Sequence, residues 1–460
     1  MKALKLLRVS VAATVFTLLT LFFLGFLEGV GCLAKVQIGP AFIGCSLAVL
    51  LVWGVVTLLF GRLFCSFACP LGILQDLLGC FARLFRRPAF AFRPAHPCVQ
   101  IIACCAFALG GTAIASLIDP YSTYGRFVAQ LLQPVADGLN NLLADALGTE
   151  GPIVLFKREV FMRSVSGFAL AVSSLVLLMI VVAWKGRLVC NTLCPIGAAL
   201  GVFSRRSLLG VRIDPTRCVK CGACTRVCKA GCLDGRQGVV DSARCVSCFN
   251  CLGVCAKGAL SYGLRPQTAK ERQEQRGHRT LLVGLGAAAT AFCFDRVTAG
   301  RFAPQACQPP GSLDRLRKRC TACGLCVAKC PRQVLTPAGF SEYGPFGFMM
   351  PKRDFTRGFC PPGCTICRDV CPAGAIANGE GDEMKVHAVW NEKTCLLCTE
   401  KLSCGLCTRR CPQGALTEKD GRIIVDVSRC TGCGACLHYC PSGSFTHGPP
   451  ASRKRGGFLI

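Results

Sequence analysis

Long apolar stretches alternate with short basic segments over the first 205 residues, and cysteine-punctuated polar sequence follows. Four runs are long and clean enough to cross a bilayer as helices: Val9–Leu27, Ile38–Phe60, Cys98–Ile118 and Ser164–Trp184. None contains a charged residue. Lys2, Lys5 and Arg8 precede the first run as they would a signal peptide, but its apolar core is long and no A-x-A site follows, so it reads as a retained span. Basic residues dominate 1–8, 61–97 (Arg62, Arg83, Arg86, Arg87, Arg93) and 185–280, where 17 Lys/Arg face five acids; 119–163 is balanced, with four basic and five acidic residues. The positive-inside bias places the basic segments in the cytoplasm and 119–163 outside. Within that outer loop, Leu132, Leu139 and Leu143 fall at helical spacing, which suits a helix along the membrane surface or one packed on the bundle. A fifth run of 14 residues, Leu281–Phe294, follows basic Lys270–Arg279. If it spans, 296–460 lies outside the cytoplasm; if it only caps the bundle, that half stays inside. The charge step favours spanning.

Cysteine carries the chemistry: 38 of the 460 residues. With five histidines, none in a predicted span, and no CxxCH, haem is disfavoured. No GxxxxGK[ST] loop occurs, and the GxGxxA string at Gly284–Ala289 lies in an apolar run without a βαβ context, so it reads as helix packing.

The run C-x2-C-x2-C-x3-C appears at Cys218–Cys228 and again at Cys245–Cys255. Three thiolates on a tight loop grip three corners of a cubane, and the fourth reaches across to the neighbouring cluster. Cys218, Cys221, Cys224 and Cys255 are therefore expected to hold one 4Fe–4S cluster, and Cys245, Cys248, Cys251 and Cys228 a second. Lys229 and Ala256 replace the proline that often follows the last cysteine. Zinc would need a separate tetrahedral set per site, and disulfides would not persist in a reducing cytoplasm. Four further runs follow: Cys320, Cys323, Cys326 and Cys330; Cys360, Cys364, Cys367 and Cys371; Cys395, Cys398, Cys404, Cys407 and Cys411, with one cysteine surplus; and Cys430, Cys433, Cys436 and Cys440. They imply four clusters in two pairs, sequential or nested, which brings the total to six.

A different motif recurs 125 residues apart: GRLFCSFACPLG at Gly61–Gly72 and GRLVCNTLCPIG at Gly186–Gly197. Each copy ends a membrane run, which suggests a duplicated hairpin. Cysteines at i and i+4 share a helix face. Cys65, Cys69, Cys190 and Cys194 thus form either a further iron–sulfur centre, paired redox thiols or a duplicated helix stop. Arg62 and Arg187 recur beside them as candidate quinone ligands or, more simply, interfacial anchors. Cys32, Cys45, Cys80, Cys98, Cys104, Cys105, Cys232, Cys293 and Cys307 read as small apolar fillers or idle thiols.

The formal charge of +28, from 53 Lys+Arg against 25 Asp+Glu, would suit nucleic acid or anionic lipid. Each oxidised 4Fe–4S centre with its thiolates carries roughly −2, so six would cancel about 12 charges. Flanking loops of membrane helices account for the rest, and nucleic-acid binding is not expected.

The first half, with its spans, two GRxxCxxxCPxG repeats and two-cluster ferredoxin, resembles NapH-type membrane ferredoxins, a pattern shared with NosR and CcoG proteins. The second half, from Gln308-Pro-Pro-Gly-Ser-Leu into RCTACGLCVAKCP, resembles NapG/MauM-type polyferredoxins. The long gap from Cys395 to Cys404, then Cys407 and Cys411-Pro, is also similar to that family and makes Cys398 the spare. The resemblance implies a fusion of two redox partners, in a family whose polyferredoxin is exported and works in quinol oxidation and electron delivery outside the cytoplasm. Leu281–Phe294 occupies the place of the export signal, with Gly277-His278-Arg279 where a twin arginine would stand. No flavin domain of the NosR type is present.

The expected architecture is an α-helical membrane bundle of four or five spans (1–205), an α+β two-cluster ferredoxin domain (206–265), a linker with the fifth apolar segment (266–300) and a four-cluster polyferredoxin domain (301–460). The expected protein is a multi-pass component of the cytoplasmic membrane, with 206–265 cytoplasmic and 301–460 periplasmic. It carries electrons between a quinol pool or cytoplasmic donor and a redox partner, in the quinol version as a quinol dehydrogenase subunit. The rival reading is a CcoG-like electron donor for metalloenzyme maturation.

Overall fold

The computed structural model describes residues 2–85, 90–93, 117–147, 160, 163–265, 309, 313–343, 347–376, 387–400 and 402–448. Nearly all of the apolar run Cys98–Ile118, all of Leu281–Phe294 and the 266–300 linker lie outside the described residues.

Seven longer helices frame the first half: α1 (Lys2–Leu24), α2 (Leu47–Phe60), α3 (Pro70–Phe85), α4 (Pro120–Phe127), α5 (Gln133–Leu147), α6 (Val165–Lys185) and α7 (Pro195–Ser204). Helix α4 runs into α5 through a π turn at Val128–Leu132. Among the described residues two helices, Ala3–Leu24 and Val165–Lys185, are long and apolar enough to cross a membrane by length and composition. That is fewer than the four or five spans expected. The run Ile38–Phe60 is not one helix. It breaks at Gly44–Ser46, where Cys45 takes a positive φ of 58°, into Ile38–Ile43 and α2. The 14 residues of α2 rise only about 21 Å. The break leaves room for the second half of the chain: a Cβ on Gly44 would lie 3.1 Å from the Ala373 carbonyl oxygen.

Helix α6 starts where the Ser164 hydroxyl accepts from the Gly167 N–H at 3.2 Å, and it stops at Gly186, φ +64°. Its inner face (Ala171, Leu178, Val182) is buried, while Leu177, Ile180 and Trp184 point outward. Leu47, Leu51, Val52 and Val55 of α2 do the same, as do Leu132, Leu139 and Leu143. A soluble bundle would put polar side chains there.

The bundle has two distinct ends. At one, Arg8 of α1 meets Asp76 of α3 beside Arg187, just past α6. At the other, Phe22 and Phe23 of α1 pack with Tyr121, Tyr124, Cys323 and Leu325. Fifteen residues separate Arg8 from Phe23, about 22 Å along the axis. Helix α6 runs back between the same ends, with Val182 near Gly79 of α3 and Leu170 against Phe348 and Met349.

The cysteine-rich bodies are built from two-stranded antiparallel sheets. In one, Leu209–Ile213 pairs with Leu260–Leu264, enclosing both runs between Cys218 and Cys255. In another, His387–Trp390 pairs with Phe445–Gly448, enclosing the third and fourth runs of the second half. Between them, Leu335–Pro337 pairs with Pro351–Arg353, and Cys320, Cys326, Cys367 and Cys371 share one core. The four later runs are therefore brought together sequentially, first with second and third with fourth. The 209–264 body sits at the Arg8 end of the bundle, and the 313–376 body at the Phe23 end.

Candidate iron–sulfur sites

Among the described residues every cysteine is free of disulfides. In the 209–264 body, Cys251 lies near Cys248, Cys245 and Cys228, with Cys224 of the other run next, while Cys224 lies near Cys221 and Cys218. Each set takes its first three sulfurs from one run, and Cys228 crosses to the second set. The same crossing recurs three times. Cys326 faces Cys323, Cys320 and Cys371; Cys367 faces Cys360, Cys364 and Cys330; Cys436 faces Cys433, Cys430 and Cys411. Cys407 faces Cys440 and Cys395. Cys398 directs its sulfur to the Gly421 carbonyl at 3.5 Å while lying beside Cys395.

Local backbone prepares these sulfurs for an anionic state. The N–H four residues after the last cysteine of a run donates to its sulfur: Ala259 to Cys255, Ala375 to Cys371, Ala415 to Cys411 and Ser444 to Cys440, at 3.2–3.3 Å. A Cβ on Gly235 would come within 2.5 Å of Cys224 Sγ, so the 233–240 hairpin lies directly on that loop. Burial pushes the Cys436 and Cys367 thiols up to about 12 and Cys323 and Cys407 to about 11. Such thiols are poor nucleophiles, and bound iron would instead hold them deprotonated. Among the described residues no three His, Cys, Asp or Glu side chains close around one point as a single ion requires. A cubane instead spreads its thiolates over four corners.

The two GRxxCxxxCPxG copies form one site. Cys69 faces Cys190, Cys65 and Cys194, and Cys65, Cys69 and Cys190 are each at most 5% exposed. Desolvation raises the Cys69 and Cys194 thiols well above their ordinary value, which disfavours thiol–disulfide chemistry there. Each motif position has a local reason. Cys194 is the N-cap of α7, its sulfur accepting from Gly197 N–H at 3.3 Å, with Pro195 in the first turn. Gly72 and Gly197 must lack a Cβ, which would sit 2.4 and 2.2 Å from the carbonyl oxygens of Cys65 and Cys190.

The arginines are swapped between copies. Arg62 donates to the Cys190 carbonyl at 3.2 Å and lies 3.6 Å from Cys65 Sγ, while Arg187 donates to the Cys65 carbonyl at 2.7 Å and to Gly72 at 2.8 Å. Both are 1% exposed. They are internal braces, not the interfacial anchors expected from their place in the chain. Behind them Asp76 gathers Arg187 (2.8 Å), Lys229 (2.5 Å) and Arg8. Burial alone would raise the Asp76 carboxyl, but these three cations hold it well below the usual carboxylate range. Burial likewise pushes Lys229 down to about 8.

The 209–264 body docks on this site from both copies. Arg62 reaches Ala243 O at 2.9 Å, Ser66 reaches Val246 O, and Asn191 reaches Ala230 O at 2.9 Å. On the other side, Gln37 donates to Ala68 O at 3.2 Å, and Ile38 and Phe127 pack in the same core as Cys65 and Cys69. Phe127 ends α4, and two residues earlier a Cβ on Gly125 would lie 2.3 Å from Cys323 O. Helix α4 thus touches both the core that holds Cys65 and Cys69 and the first loop of the 313–376 body.

Sequence reasoning missed several of these residues. Asp76, Gln37 and Ser66 stand out only as lone polar residues in apolar segments. Cys232, read as a filler or idle thiol, is buried with its sulfur 3.6 Å from Cys228 Sγ.

Two family models match the chain: a 4Fe-4S dicluster domain over 244–335 and 402–445, and a 4Fe-4S binding domain over 42–88 and 166–213, the two repeat regions. The methylamine utilization ferredoxin-type protein MauM of Methylophilus methylotrophus is 30% identical over 183 residues, covering 35% of this chain and 79% of that protein. The ferredoxin-type protein NapH of Escherichia coli is 28% identical, covering 36% of this chain and 47% of NapH. Three other MauM proteins are spanned over 47–66% of their length. No solved structure matches the chain.

Proposed function

Because this chain belongs to the ferredoxin-type electron-transfer proteins of the MauM and NapH kind, we propose that it is a redox wire through a membrane-embedded bundle, with cluster-bearing modules at the bundle's two ends. One observation carries the reading: the buried Cys65/Cys69/Cys190/Cys194 quartet lies between the 209–264 body, docked through Arg62, Ser66 and Asn191, and the Cys323 loop, docked on α4. Bound 4Fe–4S clusters supply reversible one-electron storage at each step.

The ligand sets follow the sequential pairing: Cys218, Cys221, Cys224 and Cys255; Cys245, Cys248, Cys251 and Cys228; Cys320, Cys323, Cys326 and Cys371; Cys360, Cys364, Cys367 and Cys330; Cys430, Cys433, Cys436 and Cys411; and Cys395, Cys404, Cys407 and Cys440. The quartet adds a seventh. The chain's own residues bury the quartet and part of the other sulfurs, donate N–H groups to several of them and keep buried cations beside the quartet. The outward apolar faces of α1, α2 and α6 favour lipid around the bundle, and the basic 185–265 segment favours the cytoplasm at that end. Modules at opposite ends then favour an outside location for 301–460. In this reading the domains are 1–205, 206–265, a linker to 300 and 301–460. A quinol pool or a cytoplasmic donor feeds the wire, and a redox partner protein drains it.

The test is anaerobic purification followed by iron analysis and reduction from one side in proteoliposomes. The expected result is about 24 to 28 irons per chain, six or seven cubanes, with clusters on the far side reduced through the bundle. Colourless protein with few irons overturns the reading.

A further inference from the structure

Two of the cluster-bearing regions differ in charge. The Cys395–Cys440 body is nearly balanced, with seven Lys/Arg and five Asp/Glu between 387 and 448. The segment 185–265 holds 13 Lys/Arg and three Asp. Part of that excess serves the bundle: Arg187 and Lys229 meet Asp76, and Arg265 donates to Arg205 O. The rest gathers elsewhere. The Cys245/Cys248/Cys251/Cys228 set faces the bundle, with Cys248 near Arg187 and Lys229. The Cys218/Cys221/Cys224 loop therefore turns outward, and Cys221 is exposed.

Around Cys221 the surface has an apolar centre and a cationic rim. Val219 is 62% exposed and Val239 46%. Lys220, Arg226 and Arg236 are exposed, and the Arg236 side chain lies over Gly222, with Nε 3.7 Å from where a Cβ would be. Among the described residues no ion pair engages these three cations. The nearby acids are occupied by their own turns. Asp214 accepts from Thr216 N and Oγ1, Asp234 from Arg236 N and Gln237 N, and Asp241 holds Arg244. Among the described residues none of these acids forms an ion pair with the rim.

We infer that this face is the docking surface for a small acidic one-electron carrier protein, which exchanges single electrons with the Cys218/Cys221/Cys224/Cys255 cluster. The inference rests on the redox-wire reading. A short-lived redox encounter needs a small apolar contact beside an exposed cofactor and a charged rim that steers approach, which is what surrounds Cys221. The exchange balances: the carrier loses one electron and the cluster gains it, with no bond made or broken. Anionic lipid is the competing occupant, and the lipid arm of the test separates it from a protein carrier.

The test uses the full-length protein in nanodiscs, with a reduced acidic 2Fe–2S ferredoxin as donor and methyl viologen radical cation as the oppositely charged comparison. The expected result is a second-order rate with the acidic donor that falls tenfold or more between about 50 and about 500 mM salt. The triple variant Lys220→Glu, Arg226→Glu, Arg236→Glu should lose a similar factor at low salt while keeping its iron content, and viologen should reduce it at least as fast as wild type. A rate indifferent to salt and to the variant overturns the docking surface. So does a rate that follows the anionic-lipid content of the nanodisc instead of donor charge. Protein that keeps its colour and accepts electrons from viologen in those outcomes leaves the redox-wire reading standing, whereas colourless protein removes both.

Discussion

The ferredoxin runs and the GRxxCxxxCPxG quartet assemble four sulfurs by opposite means. In four of the six runs three cysteines fall within seven residues, and in a run the N–H that faces a sulfur comes from a few residues away, as with Ala375 and Cys371. In the quartet, two pairs 125 residues apart meet only because the copies face each other, and each copy's arginine crosses to the other copy's carbonyl. A run owes its geometry to a loop and the quartet owes its geometry to packing. Damage to a run should therefore stay local, and damage behind the quartet should spread.

The largest expected effect is on the quartet itself. Changing Cys65, Cys69, Cys190 and Cys194 together to Ser should remove about four irons and abolish reduction across the bundle, while the low-temperature EPR of the ferredoxin clusters persists. An unchanged iron count would reduce the quartet to a helix stop. Next, Cys404→Ser should cost about four irons with the neighbouring run intact, and Cys398→Ser none, read by iron analysis. The reverse result would exchange their assignments.

Asp76→Asn tests whether damage spreads. It strands three buried cations, for which roughly 3–5 kcal/mol of destabilisation is expected, seen as a lower midpoint in thermal unfolding. Because the folded Asp76 carboxyl lies below its unfolded value, its stabilisation is complete above about pH 4 and is lost as pH falls further. The Asn variant should therefore show a shallower loss of stability in acid. Removing a single exposed charge near a ferredoxin run should do neither.

The smallest effect concerns how equal the two copies are. Both leading glycines take positive φ, 75° at Gly61 and 64° at Gly186. A Cβ on Gly186 would sit 2.4 Å from Lys229 O, whereas one on Gly61 meets nothing closer than 3.4 Å. Gly61→Ala should cost roughly 1–3 kcal/mol from backbone strain and Gly186→Ala clearly more, measured by denaturant unfolding. Equal costs would mean that the docking of the 209–264 body at Lys229 O yields.

The cysteine runs, the 125-residue repeat and the apolar segments were all legible in the sequence, because each is a local pattern with a fixed period or spacing. The break of Ile38–Phe60 was not, since its one proline, Pro40, lies in the first turn of Ile38–Ile43 rather than at the kink, and Gly44–Ser46 packs against Ala373. Nor was the burial of Arg62 and Arg187. Their sequence neighbours are those of an interfacial anchor, and only the facing copy supplies the carbonyls and the carboxylate that make burying two guanidinium groups tolerable. Spacing along the chain fixes which sulfurs can share a loop. Which loops meet, that the later runs pair in sequence, and that α4 bridges the quartet to Cys323 were decided by long-range contacts, whose partners no local pattern encodes.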